Sequence, residues 1–268
     1  MIRAITFDLW DTVIHDDSDE PKRAAAGLPS KREARRMLVR EALADHGAVS
    51  ADIVNAAYNV ADAAFNKAWH DQHVTWSVGE RLSVLLHGLD RALPDAVLAD
   101  VTARIEEMEI EVMPDPVPGI GDAIEALATR YPLAVVSDAI HSPGRCLREW
   151  LKRQGLLRHF GAFAFSDEVG RSKPHPDMFR RAAEGLGVDV SEMLHIGDRE
   201  HNDVRGPHGL GMRAILFTAT RDRDRAGSTA DAICARAADL PAAVERLVGT
   251  GPGRRTGAGP GRRTGAGQ

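Results

Sequence analysis

The chain is poor in the features that would staple it, export it or carry it through a membrane. Its 268 residues include only two cysteines, Cys146 and Cys234, far apart in sequence and outside any CxxC pattern. They read as reduced, packed thiols in a reducing compartment. No apolar run approaches the length of a membrane span. The N-terminus, Met1-Ile2-Arg3-Ala4-Ile5-Thr6-Phe7-Asp8, lacks the charged and then long apolar stretches of a signal peptide and reads instead as a strand ending in an acid. A soluble, cytoplasmic protein is expected. There is no excess of positive charge either. The formal net charge is −5, and Arg254, Arg255, Arg262 and Arg263 near the C-terminus hold four of the positive charges, which leaves −9 for the rest. Such an acidic body does not suit a nucleic-acid binder, and a phosphate ligand would need local positive charge.

What is present alternates. Leu133–Asp138, Ala162–Asp167, Met193–Asp198 and Met212–Phe217 are, like the N-terminal run, short apolar segments, and the first three also close on an acid. Apolar runs without alternation suit strands covered on both faces. Helical patterns separate them over Gly121–Arg130, Pro143–Arg153 and Pro176–Leu186. The order predicts an open, doubly wound α/β fold with a parallel sheet, whose ligands bind at the carboxyl ends of the strands. From about His15 to Pro116 the strand-like runs stop. Ser30-Lys31-Arg32-Glu33 and Ser77-Val78-Gly79-Glu80 have the form of capping boxes. Helices are expected from Ser30 to His46, from Ala51 to Asp71, after Ser77, and from Pro94 to Glu111, forming an inserted α-helical module. The octapeptide Gly251–Ala258 recurs as Gly259–Ala266, and this glycine-, proline- and arginine-rich tail is expected to be disordered.

Four segments in order carry a resemblance. Phe7-Asp8-Leu9-Trp10-Asp11-Thr12-Val13, Val136-Ser137-Asp138, Lys173-Pro174 and Gly197-Asp198-Arg199-Glu200-His201-Asn202-Asp203 resemble the four motifs of the haloacid dehalogenase superfamily. The insertion after the first motif resembles the helical cap of its type I members. The resemblance implies a core of residues 1–14 and 117–247, a cap of residues 15–116 and a tail of residues 248–268. It implies Asp8 as covalent nucleophile, with Ser137, Asp138 and Lys173 binding a phosphoryl group. It also implies Mg2+ held by Asp8, Asp198 and the backbone carbonyl of Trp10, with Asp203 as a further ligand or as the residue orienting Lys173.

The chemistry agrees. Phosphoryl transfer needs a positioned nucleophile and neutralised oxygens, and a carboxylate approaches a phosphate dianion only with positive charge between them. One position departs. Phosphatases of this superfamily carry a second aspartate two residues after the nucleophile, where this chain has Trp10, and an indole N–H only donates. Asp11 is the candidate substitute. A phosphatase acting on a small phosphorylated metabolite is favoured. A metal-independent 2-haloacid dehalogenase, a phosphonatase using Lys22, Lys31 or Lys67, and a non-hydrolytic phospho-ligand-binding protein stay open. His70 and His73 read as a solvated helix face rather than zinc ligands, and Trp69 and Trp76 as core. His15 and Asp115–Gly119 are the expected hinges. No nucleic-acid or membrane partner is expected, and nothing in the sequence decides between monomer and homodimer.

Overall fold

The computed structural model describes residues 1–249; the repeat tail expected to be disordered lies outside the described residues. Six parallel strands form one sheet in the order β3-β2-β1-β4-β5-β6. They are β1 (Ala4–Phe7), β2 (Leu133–Ser137), β3 (Phe160–Phe165), β4 (Met193–Gly197), β5 (Arg213–Phe217) and β6 (Ala232–Cys234).

The first three elements of the sheet explain why its strands show no alternation. Ile5, Phe7, Leu133 and Val135 pack on one face, against α7 (Ile120–Ala128), α8 (Gly144–Arg153) and α12 (Leu240–Gly249). Ala4, Ala134 and Val136 pack on the other, against Met178, Phe179 and Ala182 of α10 (Pro176–Leu186). Both faces are dry, so apolar residues fill the strands on both sides, and the buried Thr6 and Ser137 are the exceptions in β1 and β2.

Between β1 and α7 the chain forms six helices: α1 (Glu20–Ala25), α2 (Lys31–Ala44), α3 (Ala51–Gln72), α4 (Val78–Gly88), α5 (Asp95–Glu106) and α6 (Met108–Glu111). Both capping boxes form, Ser30 with Glu33 and Ser77 with Glu80, each satisfying two free N–H groups at a helix start. Leu38, Leu43, Tyr58, Leu82, Leu85 and Ile105 give the insert a core of its own. The helix expected from Pro94 to Glu111 is two, and the break at Glu107 turns Glu109 inward, where its carboxylate accepts from Lys31 and Ser142. Helix α1, the short edge strand β6 and the π-helical turn Glu200–Arg205 were not legible in the pattern. The expected hinges run side by side, with His15 N donating to Asp115 O (2.9 Å) and Val117 N to Val13 O (2.9 Å). No helix among the described residues is long and apolar enough to cross a membrane.

After β3 the chain passes through the short helix α9 (Ser166–Val169) and α10, and then crosses to the other side of β1. The order therefore reverses between β1 and β4, which opens a crevice at their carboxyl ends. The residues that close these strands meet there.

Candidate active site

Strand pairing brings the site together. Phe7 lies in register with both Val135 and Ile196, so Asp8, Ser137 and Asp198 emerge at neighbouring strand ends. All three are buried. Ser137 Oγ donates to Asp8 Oδ1 (2.9 Å), and Lys173 Nζ stands 2.8 Å from the same oxygen and 2.6 Å from Asp203 Oδ1. The second oxygen of Asp8 has no hydrogen bond among the described residues.

Asp203 is fully engaged. Its Oδ1 also meets His195 Nε2 (3.1 Å), whose Nδ1 is 2.7 Å from Thr6 Oγ1, and its Oδ2 accepts from Arg199 N (2.9 Å). Burial alone would raise its pKa, but Lys173 and His195 outweigh that and hold the carboxyl well below the usual range. Burial likewise disfavours the charge on Lys173, yet Asp203 and Asp8 keep its ammonium above the ordinary lysine value. The result is a fixed, buried cation between two carboxylates.

Asp198 is the opposite case. Burial first, then Asp203 and Asp8, push its carboxyl up to about 8. Arg221 Nη1 reaches its Oδ2 (3.2 Å), while its Oδ1 is buried with no partner. A buried acceptor left unsatisfied is costly. Oxygens of Asp8, Asp198 and Asp203 lie within 4.8 Å of one another, the one group among the described residues placed to share a metal ion. An orphaned carboxylate oxygen in an all-oxygen donor set fits a hard divalent cation. His70 and His73 are in no such group.

Close packing maintains this arrangement. Gly197 has no room for a side chain, because a Cβ there would overlap the Asp203 carboxyl group. Gly197→Ala is therefore expected to cost roughly 1–3 kcal/mol through overpacking and to displace Asp203, which urea unfolding and loss of activity would register. Unchanged stability would contradict the tight fit.

Asp8, Asp138, Lys173, Arg199, Asn202 and Asp203 line a cavity of about 130 Å3, together with Trp10, Asp16, Trp69, Glu109, Ile140, His141 and Ser142. Asp138 is pushed up to about 7 by burial; its Oδ1 accepts from Lys173 N (2.9 Å) and its Oδ2 from Asn202 Nδ2 (3.4 Å). Trp10 is held against the wall by a bond from its Nε1 to Asp138 O (3.2 Å). Trp69, read as core, is half-buried and lines the cavity, stacked on Phe65; Trp76, also half-buried, packs on Phe65 outside it. Asp11 is not in the lining. Its backbone is left-handed (φ 56°) and is fixed by bonds to Ile14 O (2.7 Å) and from Thr220 Oγ1 (2.8 Å). Asp16 and Glu109 line the cavity without any motif having marked them. Lys22, Lys31 and Lys67 do not line it. Lys31 is tied to Asp17 (3.2 Å), Asp19 (2.9 Å) and Glu109 (3.0 Å), so it is a structural cation rather than a free amine. The carbonyl of His73, at the left-handed end of α3, accepts from Ser172 N (2.9 Å), one residue before Lys173.

Residues 2–211 match the family described as haloacid dehalogenase-like hydrolase. The chain belongs to that family. The glyceraldehyde 3-phosphate phosphatase of Pyrococcus abyssi is 33% identical over 89 residues, 32% of this chain and 35% of that protein. The glyceraldehyde 3-phosphate phosphatase of Methanothermobacter thermautotrophicus is 24% identical over 230 residues, 82% of this chain and 87% of its own length. In the first curated relatives the match spans only about a third of their length. Among solved haloacid dehalogenase-like structures, a 2-haloacid dehalogenase from Pseudomonas syringae pv. Tomato DC3000 superposes with a TM-score of 0.68 at 23% identity, over 92% of this chain and 100% of that one. At that identity the likeness is one of fold.

Proposed function

We propose that this hydrolase is a magnesium-dependent phosphomonoesterase that works through an aspartyl-phosphate on Asp8. The observation that carries the reading is the orphaned Asp198 oxygen beside Asp8, a cation site for which a metal-free dehalogenase has no use. Asp8, Asp198 and the backbone carbonyl of Trp10 would hold the ion, while Asp203, whose oxygens are already taken, orients Lys173. When bound, magnesium supplies positive charge to offset what gathers on the phosphoryl oxygens.

The chain's own groups do the rest. Ser137 and Lys173 hold one oxygen of Asp8 and leave the other to attack phosphorus. Lys173 then faces the transferred phosphoryl group as a cation that needs no reorganisation, and the Ser137 hydroxyl and Asp138 complete the phosphate pocket. The small cavity suits a small phosphorylated metabolite, in keeping with the phosphatases named among its relatives. The helical insert would close over it and exclude water. A second reading, the 2-haloacid dehalogenase, is favoured by the aromatic Trp10 on the cavity wall.

The test is phosphate release from sugar phosphates, nucleotides and small phosphoesters, with magnesium and with chelator. Release is expected to fall by at least ~100-fold on chelation. Halide release from 2-haloacids in the presence of chelator would replace this reading with the second. Tight phospho-ligand binding without turnover would leave a binding protein.

A further inference from the structure

Position 10 provides no proton, and Asp11 does not reach the cavity. An alkyl phosphate still needs an acid, because an alkoxide is a poor leaving group, and the acyl phosphate needs a base to activate water. The cavity wall offers few groups for this. Glu109 has both oxygens occupied, one by Lys31 Nζ (3.0 Å) and one by Ser142. Asp138 accepts from Lys173 N and Asn202, and Asp203 from Lys173, His195 and Arg199 N. His141 pairs through Nε2 with Arg81 Nη2 (3.0 Å), and burial together with Arg35 and Arg81 keeps its ring neutral.

Asp16 differs from all of them. Its Oδ1 accepts only from the next residue's backbone N–H (2.9 Å), and its Oδ2 has no hydrogen-bond partner among the described residues. It sits on the turn where the chain leaves the sheet for the insert, and it lines the same cavity as Asp8. That turn is anchored. The buried Lys31 holds both Asp17 and Asp19, and Ser18 Oγ donates to His15 O (2.6 Å) and accepts from Asp115 N (2.7 Å).

We propose that Asp16 is the acid–base residue of this site, supplying from the mouth of the insert the proton chemistry that Trp10 cannot. The proposal rests on the aspartyl-phosphate reading above. As the Asp8 oxygen bonds to phosphorus, the bond from phosphorus to the leaving oxygen breaks and its electron pair stays on that oxygen. The Asp16 carboxyl gives it a proton and the alcohol departs. The Asp16 carboxylate then takes a proton from water as the water oxygen attacks phosphorus. The bond to Asp8 breaks, and inorganic phosphate and the free Asp8 carboxylate result. The surroundings suit the role: burial, with Asp17, Glu109 and Asp11 as acidic neighbours against the basic Lys31, pushes the Asp16 carboxyl up to about 6. It can therefore be acid and base in turn near neutral pH.

The experiment uses the full chain with magnesium and compares wild type with Asp16→Asn on an alkyl phosphate and on p-nitrophenyl phosphate. The variant is expected to lose at least ~100-fold in kcat/KM on the alkyl ester. It should keep a burst of nitrophenolate, with phosphoryl-Asp8 accumulating after acid quench, since a nitrophenolate leaves unaided while water lacks its base. Equal losses on both esters, or no loss on the alkyl ester, would overturn the proposal. The wild type alone gives a second measurement that does not depend on how the variant folds. Its alkyl kcat/KM should fall above about pH 6 relative to the aryl value, as the acid is deprotonated, and parallel profiles would count against Asp16. Asp8→Asn separates the two levels. Turnover surviving in that variant removes the covalent reading itself, whereas a silent Asp8→Asn beside an unaffected Asp16→Asn removes only the acid–base assignment.

Discussion

Asp8→Asn is expected to lower metal-dependent phosphate release by on the order of 10^4-fold or more, because the proposed mechanism needs that carboxylate oxygen to form the covalent intermediate. Asparagine preserves the shape, and its amide can still face Ser137 Oγ, which now donates to Asp8 Oδ1 at 2.9 Å. The fold should therefore survive. One carboxylate fewer would also lower the repulsion that raises Asp198, so the variant should unfold at a denaturant concentration no lower than wild type. Stability retained while activity vanishes is the expected pair of results. In wild type, an acid quench during turnover should leave the mass of one phosphoryl group on the peptide containing Asp8. An inactive variant that is also unfolded would say nothing about nucleophilicity, and an active, folded one would exclude Asp8 as the nucleophile.

Lys173→Met is expected to do the reverse, with both losses together. The ammonium bridges Asp8 and Asp203 and is itself buried. Removing one partner of a buried ionic group leaves uncompensated charge and costs about 3–5 kcal/mol. The sign of the pH dependence follows from the two shifts. Asp203 is held below its unfolded value, so its contribution is complete above about pH 4 and is lost as pH falls further. Lys173 is held above its unfolded value, so its contribution is complete below about pH 10 and is lost as pH rises through the folded value. The stability gap between wild type and variant, measured by urea unfolding in chelator, should be widest near neutral pH and close towards both extremes. A gap that stays constant with pH would show that Lys173 contributes packing rather than charge.

The sequence made the strand ends legible because the relevant signals are local. Apolar runs without alternation marked β1, β2 and β4, and the acid or serine closing each run marked Asp8, Ser137 and Asp198. Lys173 and Asp203 followed from motif order, and both lie within hydrogen-bond reach of each other. The cavity wall was not legible, because its residues come from distant segments. Glu109 sits in a run with Glu106, Glu107 and Glu111 that reads as a solvated helix face, and only the break between α5 and α6 turns it inward. Asp16 lies among Asp17 and Asp19, three acids with no periodicity to separate the one facing the cavity from those that hold Lys31. Trp69 looked like core because its large apolar ring does stack on Phe65, although the residue also lines the cavity. Strand β6 has three residues and a partly exposed Ile233, too little pattern to register.

The hydrogen bond from Ser172 N to His73 O ties the end of α3 to the loop that carries the buried ammonium. Any swing that lifts the end of α3 off the sheet must first break a bond one residue from that lysine. A swing that kept the bond would instead drag the lysine's loop along, and one that broke it would leave an unpaired amide beside the site's central charge.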